Sequence, residues 1–131
     1  MPRSSAEDQI QKACVYWLHI QEAQGRLAFF AVPNGGKRSA ATGALLKATG
    51  TRAGVPDITI LFPSAKALFV ELKAPKGTLQ PSQKEWRDKL QGYGFAWGEA
   101  RSLEDLIALV SRGRGAGFRC LTYSTPQYRL V

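Results

Sequence analysis

Two hydrophobic rhythms alternate along the chain. Ile10, Cys14, Trp17, Leu18 and Gln21 recur at helical spacing, behind a capping-box pattern at Ser4-x-x-Glu7. A first helix is therefore predicted from about Ser5 to about Ala23. LAFFAV, Leu27 to Val32, has the composition and length of a strand. PNGGKRS is a loop, and SAATGALLKAT is a short helix ended by Gly50. DITILF and ALFVELK then read as two strands around a turn. Gln80 and Pro81 open an amphipathic helix, SQKEWRDKLQGYG, stopped by Gly92 or Gly94. FAWGEA is a short strand, and Ser102-x-x-Asp105 caps a last helix, LEDLIALVS, stopped near Gly113. The remainder, RGRGAGFRCLTYSTPQYRLV, has no helical period. It reads as an extra strand pair, an arm swapped with a second copy, or a loose tail.

At 131 residues, with no repeat and no linker, the chain is expected to form one domain around one core. Its apolar and charged fractions, 44% and 21%, are those of a soluble globular protein. No apolar run approaches the roughly 20 residues of a membrane helix. The polar start MPRSSAEDQI lacks the apolar centre of a signal peptide, so no membrane partner and a cytoplasmic location are expected. Cys14 and Cys120 are too few and too far apart for a disulfide framework, and read as reduced structural thiols.

Charge changes this picture. The formal net charge is +8, and it is unevenly spread. No acid lies between Glu22 and Asp57, whereas Arg26, Lys37, Arg38, Lys47 and Arg52 do. After Asp105 the chain again has no acid, but carries Arg112, Arg114, Arg119 and Arg129. One-signed segments of this kind suit a polyanion, nucleic acid before membrane. A merely soluble basic surface is the plainer reading.

Against that background, GVPDITILFPSAKALFVELK is unusual. Asp57, Glu71 and Lys73 interrupt two otherwise apolar strands, and ionised groups near a core are costly unless paired or bound to a metal. Pairing Phe62 with Ala67 around the turn places Asp57 opposite Leu72, flanked by Glu71 and Lys73. Those two project on one side because strand side chains alternate. A slip of one residue would set Asp57 directly opposite one of them. Two converging carboxylates repel, and a divalent cation relieves the repulsion. Mg²⁺ uses one or two protein carboxylates and keeps several waters. A neighbouring lysine can then steer or deprotonate water for attack on a phosphodiester. The ordinary alternative is a salt bridge of Asp57 or Glu71 with Lys73 at the hairpin end.

Two further positions bear on the site. Glu7 lies on or beside the inward face of the first helix, and equally suits the capping box with Ser4. Gln83 shares a helix face with Trp86 and Leu90, where its amide needs polar partners. It is also placed as a solvated residue at a helix start.

The order Glu7, PNGGKRS, GVPD, VELK and APKGTLQPSQKEW resembles the VRR-NUC (virus-type replication-repair nuclease) domain of the PD-(D/E)xK nuclease superfamily. The resemblance covers about residues 5–110. It implies a VRR-NUC-like nuclease domain over residues 1–113, with 114–131 as a basic C-terminal extension of the same domain. It also implies an α/β, restriction-endonuclease-like core: a mixed central β-sheet flanked by α-helices. By resemblance, Asp57, Glu71 and the Leu72 backbone carbonyl would hold Mg²⁺ or Mn²⁺. Lys73 would position the attacking water, Glu7 would support the metal, and Gln83 would lie beside the catalytic centre. Asn34, Lys37 and Arg38 match the family's polar loop near the substrate, and Lys47 and Arg52 join them as DNA-binding candidates from the acid-free segment. The implied activity is metal-dependent cleavage of branched DNA, including four-way (Holliday) junctions, by a homodimer. A flap or nicking nuclease and a non-cleaving DNA-structure-binding module are the alternatives.

Other chemistries fit poorly. His19 is the single histidine, which weakens zinc and histidine-based triads. GGKRS departs from a phosphate loop at Ala31 and Arg38, and Gly92-x-Gly94 follows a helix rather than a strand, so no nucleotide cofactor is expected.

Overall fold

The apolar stripe of the first helix meets one face of a four-stranded sheet. The computed structural model describes residues 4–33 and 39–114. Its elements run α1 (Ser5–Ala23), β1 (Ala28–Ala31), α2 (Ala40–Ala48), β2 (Ile58–Phe62), β3 (Lys66–Leu72), α3 (Pro81–Gly92), β4 (Ala96–Ala100) and α4 (Leu103–Arg114). The strands lie in the order β1-β2-β3-β4. β1 with β2 and β2 with β3 are antiparallel, while β3 and β4 are parallel. Helix α3 makes the crossover that a parallel pair requires. The sheet is mixed and the fold is α/β, as expected.

Alternation divides the sheet into two chemically different faces. Ile58, Ile60, Phe62, Leu68, Val70, Leu72 and Ala100 are buried on one face with Cys14 and Leu18 of α1 and Leu106 and Val110 of α4. Apolar burial on that side supplies the main driving force of the fold. The opposite face carries Thr59, Leu61, Phe69 and Glu71, and Trp97 and Glu99 stand beside Phe69 and Glu71 across the parallel pair. Helix α3 lies over part of it, packing against β4.

Local signals set the helix starts. Ser4 Oγ accepts from the Glu7 N–H at 3.1 Å, and Ser39 Oγ from the Thr42 N–H at 3.1 Å. Ser102 Oγ accepts from the Asp105 N–H at 3.1 Å, and Asp105 Oδ2 accepts from the Arg101 N–H at 2.9 Å. Helix α4 runs to Arg114, one residue beyond Gly113, near which it was expected to stop. The strand-pair, arm and tail readings of residues after Arg114, and Cys120, lie outside the described residues.

The hairpin register differs from the expected one by one residue. Phe62 pairs with Lys66 rather than Ala67, and Ile58 pairs with Val70. The turn is therefore Pro63-Ser64-Ala65, with Ser64 and Ala65 at φ of 73° and 62°. Residues other than glycine seldom adopt this left-handed region, so the tight turn left no glycine or asparagine signature in the sequence. Its consequence is central: continuing the register by one step sets Asp57 opposite Glu71. Among the described residues no helix is long and apolar enough to cross a membrane.

Candidate active site

Asp57 sits where β2 begins, with its backbone committed to one neighbour and its side chain to the other. Its carbonyl accepts from the Val32 N–H at 2.9 Å, on the β1 side. Towards β3 it therefore occupies a non-hydrogen-bonded position, the kind in which facing side chains approach most closely. Its carboxylate Oδ2 accepts from the Leu72 N–H at 2.8 Å. An acid side chain thus extends the β2–β3 ladder by one bond. Asp57 is only 2% exposed, and the charge-assisted bond to a backbone N–H is one reason it tolerates burial.

Glu71, also 2% exposed, faces Asp57 from β3. Its Oε1 accepts from Gln83 Nε2 at 2.8 Å. Gln83 Oε1 in turn accepts from the Gln80 N–H at 2.8 Å. One side chain thus caps α3 and fixes a buried carboxylate. Pro81 follows the N-cap Gln80, where its missing N–H costs nothing. The first turn of α3 is held close by Gly54, whose φ is +86°. A Cβ there would stand 2.5 Å from the Ser82 carbonyl oxygen, so only glycine allows this approach.

Lys73 continues the alternation of Glu71 beyond the end of β3 and is 6% exposed. Its backbone N–H donates to the Ala100 carbonyl at 3.0 Å, which ties this point of the chain to β4. Leu72 turns its N–H towards β2. Because one residue's N–H and C=O share a side of a strand, its carbonyl faces the same way, towards the carboxylate pair.

Arg101 has no part in the expected site, yet it shapes the loop that leaves it. Its guanidinium donates to the carbonyls of Ala74, Pro75 and Gly77 at 2.8, 3.1 and 2.6 Å, and to Glu99 Oε2 at 2.6 Å. A single side chain so gathers the turn that carries the chain from Lys73 towards α3. A Cβ on Gly77 would come within 3.6 Å of Lys73 Cδ, so this turn runs beside the lysine stem.

The structure brings Asp57, Glu71, Leu72, Lys73 and Gln83 to one end of the central strands. Glu7 is half-buried in the first turn of α1, and its backbone N–H is capped by Ser4. Lys47 is exposed in the last turn of α2. Arg52 is exposed too, and its guanidinium stands 5.1 Å from the Trp86 ring centroid. Asn34, Lys37 and Arg38 lie outside the described residues. Arg26, another cation of the acid-free segment, donates to the buried Gln21 Oε1 at 3.0 Å.

Among the described residues, no group of three or more His, Cys, Asp and Glu side chains is placed to hold a metal. The donor set is instead two buried carboxylates on facing strands, with the Leu72 carbonyl on the β2 side of its own strand. Such a hard, oxygen-only set suits a cation that retains water in its remaining positions.

Comparison with known proteins bears on the fold and the family. None of the curated proteins compared with the chain matches it. The solved structures that share the fold include these two. One, a "VRR_NUC domain protein", has a TM-score of 0.60 at 21% identity, covering 82% of this chain and 87% of its own. The other, a "VRR_NUC domain", has a TM-score of 0.57 at 20% identity, covering 81% and 95%. The sequence model of the VRR-NUC domain matches residues 5–104, a span that begins in α1, contains the whole sheet and ends at the start of α4. By that match the chain belongs to the VRR-NUC domain family.

Proposed function

We propose that this nuclease domain hydrolyses DNA phosphodiester bonds at the Asp57–Glu71 pair with the help of Mg²⁺ or Mn²⁺. One observation carries the reading: the one-residue register shift that sets two buried carboxylates face to face with Lys73 beside them. Asp57, Glu71 and the Leu72 carbonyl would hold the ion. When bound, it supplies Lewis acidity towards the phosphodiester and the attacking water. The protein's own groups do the rest. The Leu72 N–H fixes Asp57, Gln83 fixes Glu71, and Lys73 Nζ orients water towards phosphorus. As the water oxygen bonds to phosphorus, one P–O ester bond breaks; the water's proton passes to solvent, and the departing sugar oxygen takes one up from it.

Basic groups of the acid-free segment, Lys37, Arg38, Lys47 and Arg52, with Asn34, would then hold the phosphates on either side. Replacing one of these cations by alanine should reduce the salt slope of binding by about 0.9 for the phosphate it neutralises. Branched DNA, including four-way junctions, is the substrate we assign, with two copies of the chain acting together because one copy has one such pair. Phe30 and Leu61 are 51% and 43% exposed on the uncovered part of the sheet, which offers apolar surface for a second copy.

The test is cleavage of junction, flap, single-stranded and linear duplex DNA in Mg²⁺, in Mn²⁺ and in EDTA, with light scattering of the same protein. Metal-dependent cutting of junctions, lost in Asp57→Ala and Glu71→Ala, is expected. Undiminished turnover by purified Asp57→Ala would remove the assignment.

A further inference from the structure

A cavity of about 430 Å³ opens beside the carboxylate pair, on the same face of the sheet. Its floor is Thr59 and Phe69, each two residues inward from Asp57 and Glu71. Thr49, Thr51, Arg52, Val55 and Pro56 form one wall, and Trp86 and Leu90 of α3 form the other. Its size falls within the ordinary range of ligand pockets, and its lining has their usual chemistry: apolar and aromatic walls with a few hydroxyls.

We infer that this cavity receives an unpaired nucleobase from the DNA strand whose phosphate lies at Asp57 and Glu71. The inference rests on the nuclease reading above and extends it to what the site selects. Two features favour a base over another occupant. The floor begins roughly 7 Å along the strands from the pair, within reach of a nucleotide flanking the bound phosphate. The ring of Trp86 is flanked by cations, Arg52 at 5.1 Å and Lys89 Nζ at 5.1 Å, which places positive charge for the phosphates next to an aromatic surface. Aromatic walls with neighbouring cations are the usual means of holding unstacked bases whatever their sequence. A base confined in a duplex cannot reach such a pocket, so occupancy selects DNA with unpaired nucleotides near a branch.

The experiment compares two DNAs in EDTA, where cleavage is absent. One is a branched duplex with a single unpaired 2-aminopurine at the branch, and the other carries an abasic residue at that place. The 2-aminopurine DNA should bind at least about five-fold more tightly, with its emission quenched on binding. Thr51→Trp, which fills the mouth from an exposed position, and Trp86→Leu should each abolish the difference. Both should retain the wild-type circular dichroism, and Thr51→Trp should also retain the wild-type affinity for fully paired duplex. Equal affinity for the two DNAs in the wild type would overturn the inference. So would a base preference that survives in both variants, including the case in which Thr51→Trp alters only the mass in light scattering and the cavity serves a second copy. Cleavage by the same preparations in Mg²⁺, beside Asp57→Ala, reports separately on the nuclease reading. Asp57-dependent cutting without any base preference would defeat the pocket alone.

Discussion

Gln83 joins a helix start to a buried acid: its Nε2 donates to Glu71 Oε1, and its Oε1 accepts from the Gln80 N–H, each at 2.8 Å. The first bond fixes one carboxylate oxygen, and the second keeps the amide from turning over. Gln83→Leu removes both. The cap should cost about 1 kcal/mol of stability, read from chemical denaturation. The loss at Glu71 should appear separately, as a higher Mg²⁺ concentration for half-maximal cleavage. Gln83→Glu keeps an acceptor for the Gln80 N–H but sets a like charge against Glu71. It should therefore lose at least as much activity as Gln83→Leu although the cap is kept. An unchanged metal requirement in both variants would show that Gln83 serves the helix only.

Asp57 combines a structural bond with a charge, and a substitution can separate them. Asp57→Asn can still offer an oxygen to the Leu72 N–H. Asp57→Ala cannot, and leaves a buried donor unsatisfied at a cost of about 1–3 kcal/mol. Cleavage should be lost in both, whereas the alanine variant should be clearly the less stable. Thermal unfolding of the two proteins side by side measures this. Equal stability would mean that the ladder bond contributes nothing.

The helices were legible because their signals are local. The start of α1, the caps Ser4 and Ser102, and the Gln80-Pro81 entry to α3 all follow from neighbouring residues. The hairpin register was not, since Ser64 and Ala65 adopt a backbone conformation that neither residue advertises. That single step decided whether Asp57 faced Leu72 or Glu71. At the site, residue types and order pointed to the acids and the lysine, but not to the bonds that hold them. Arg101 could not be found this way, because its partners are carbonyls, and a carbonyl is the same in every residue. Its one sequence signal is an arginine placed between a strand and a capped helix.

Cys14 gives a pH-dependent stability of known sign. Burial, with a smaller contribution from the charge of Glu104, pushes its thiol from 9.0 up to about 11. Below pH 9 the thiol is protonated in both folded and unfolded chains, and its stabilising contribution is complete. Between pH 9 and 11 the unfolded chain releases the proton while the folded one keeps it, so stability falls as pH rises. The loss is on the order of 2 kcal/mol across that window. Other groups titrate there too, so the comparison is with Cys14→Ala. The alanine variant should be destabilised at pH 8 by its core cavity, and that deficit should shrink towards pH 11. A deficit constant over the range would contradict the raised thiol.

Arg101 is the residue through which β4 and the start of α4 act on the site. Three of its four side-chain bonds end on carbonyls of the loop after Lys73, and the fourth, to Glu99, fixes the guanidinium against the sheet. Its backbone is held independently by Asp105. Removing the side chain should therefore free the loop without unfolding α4. Lysine keeps the charge but has no planar fork, so it cannot gather three carbonyls and a carboxylate together. We expect Arg101→Lys to retain most of the stability and DNA affinity of the wild type while kcat falls about ten-fold or more. A misplacement of about 1 Å at a catalytic group has costs of that order or larger. Because Lys73 is the group displaced, the loss should be small in a protein already carrying Lys73→Ala. A double-mutant cycle on kcat measures this. Fully additive losses would show that Arg101 supports the fold and does not act through the lysine.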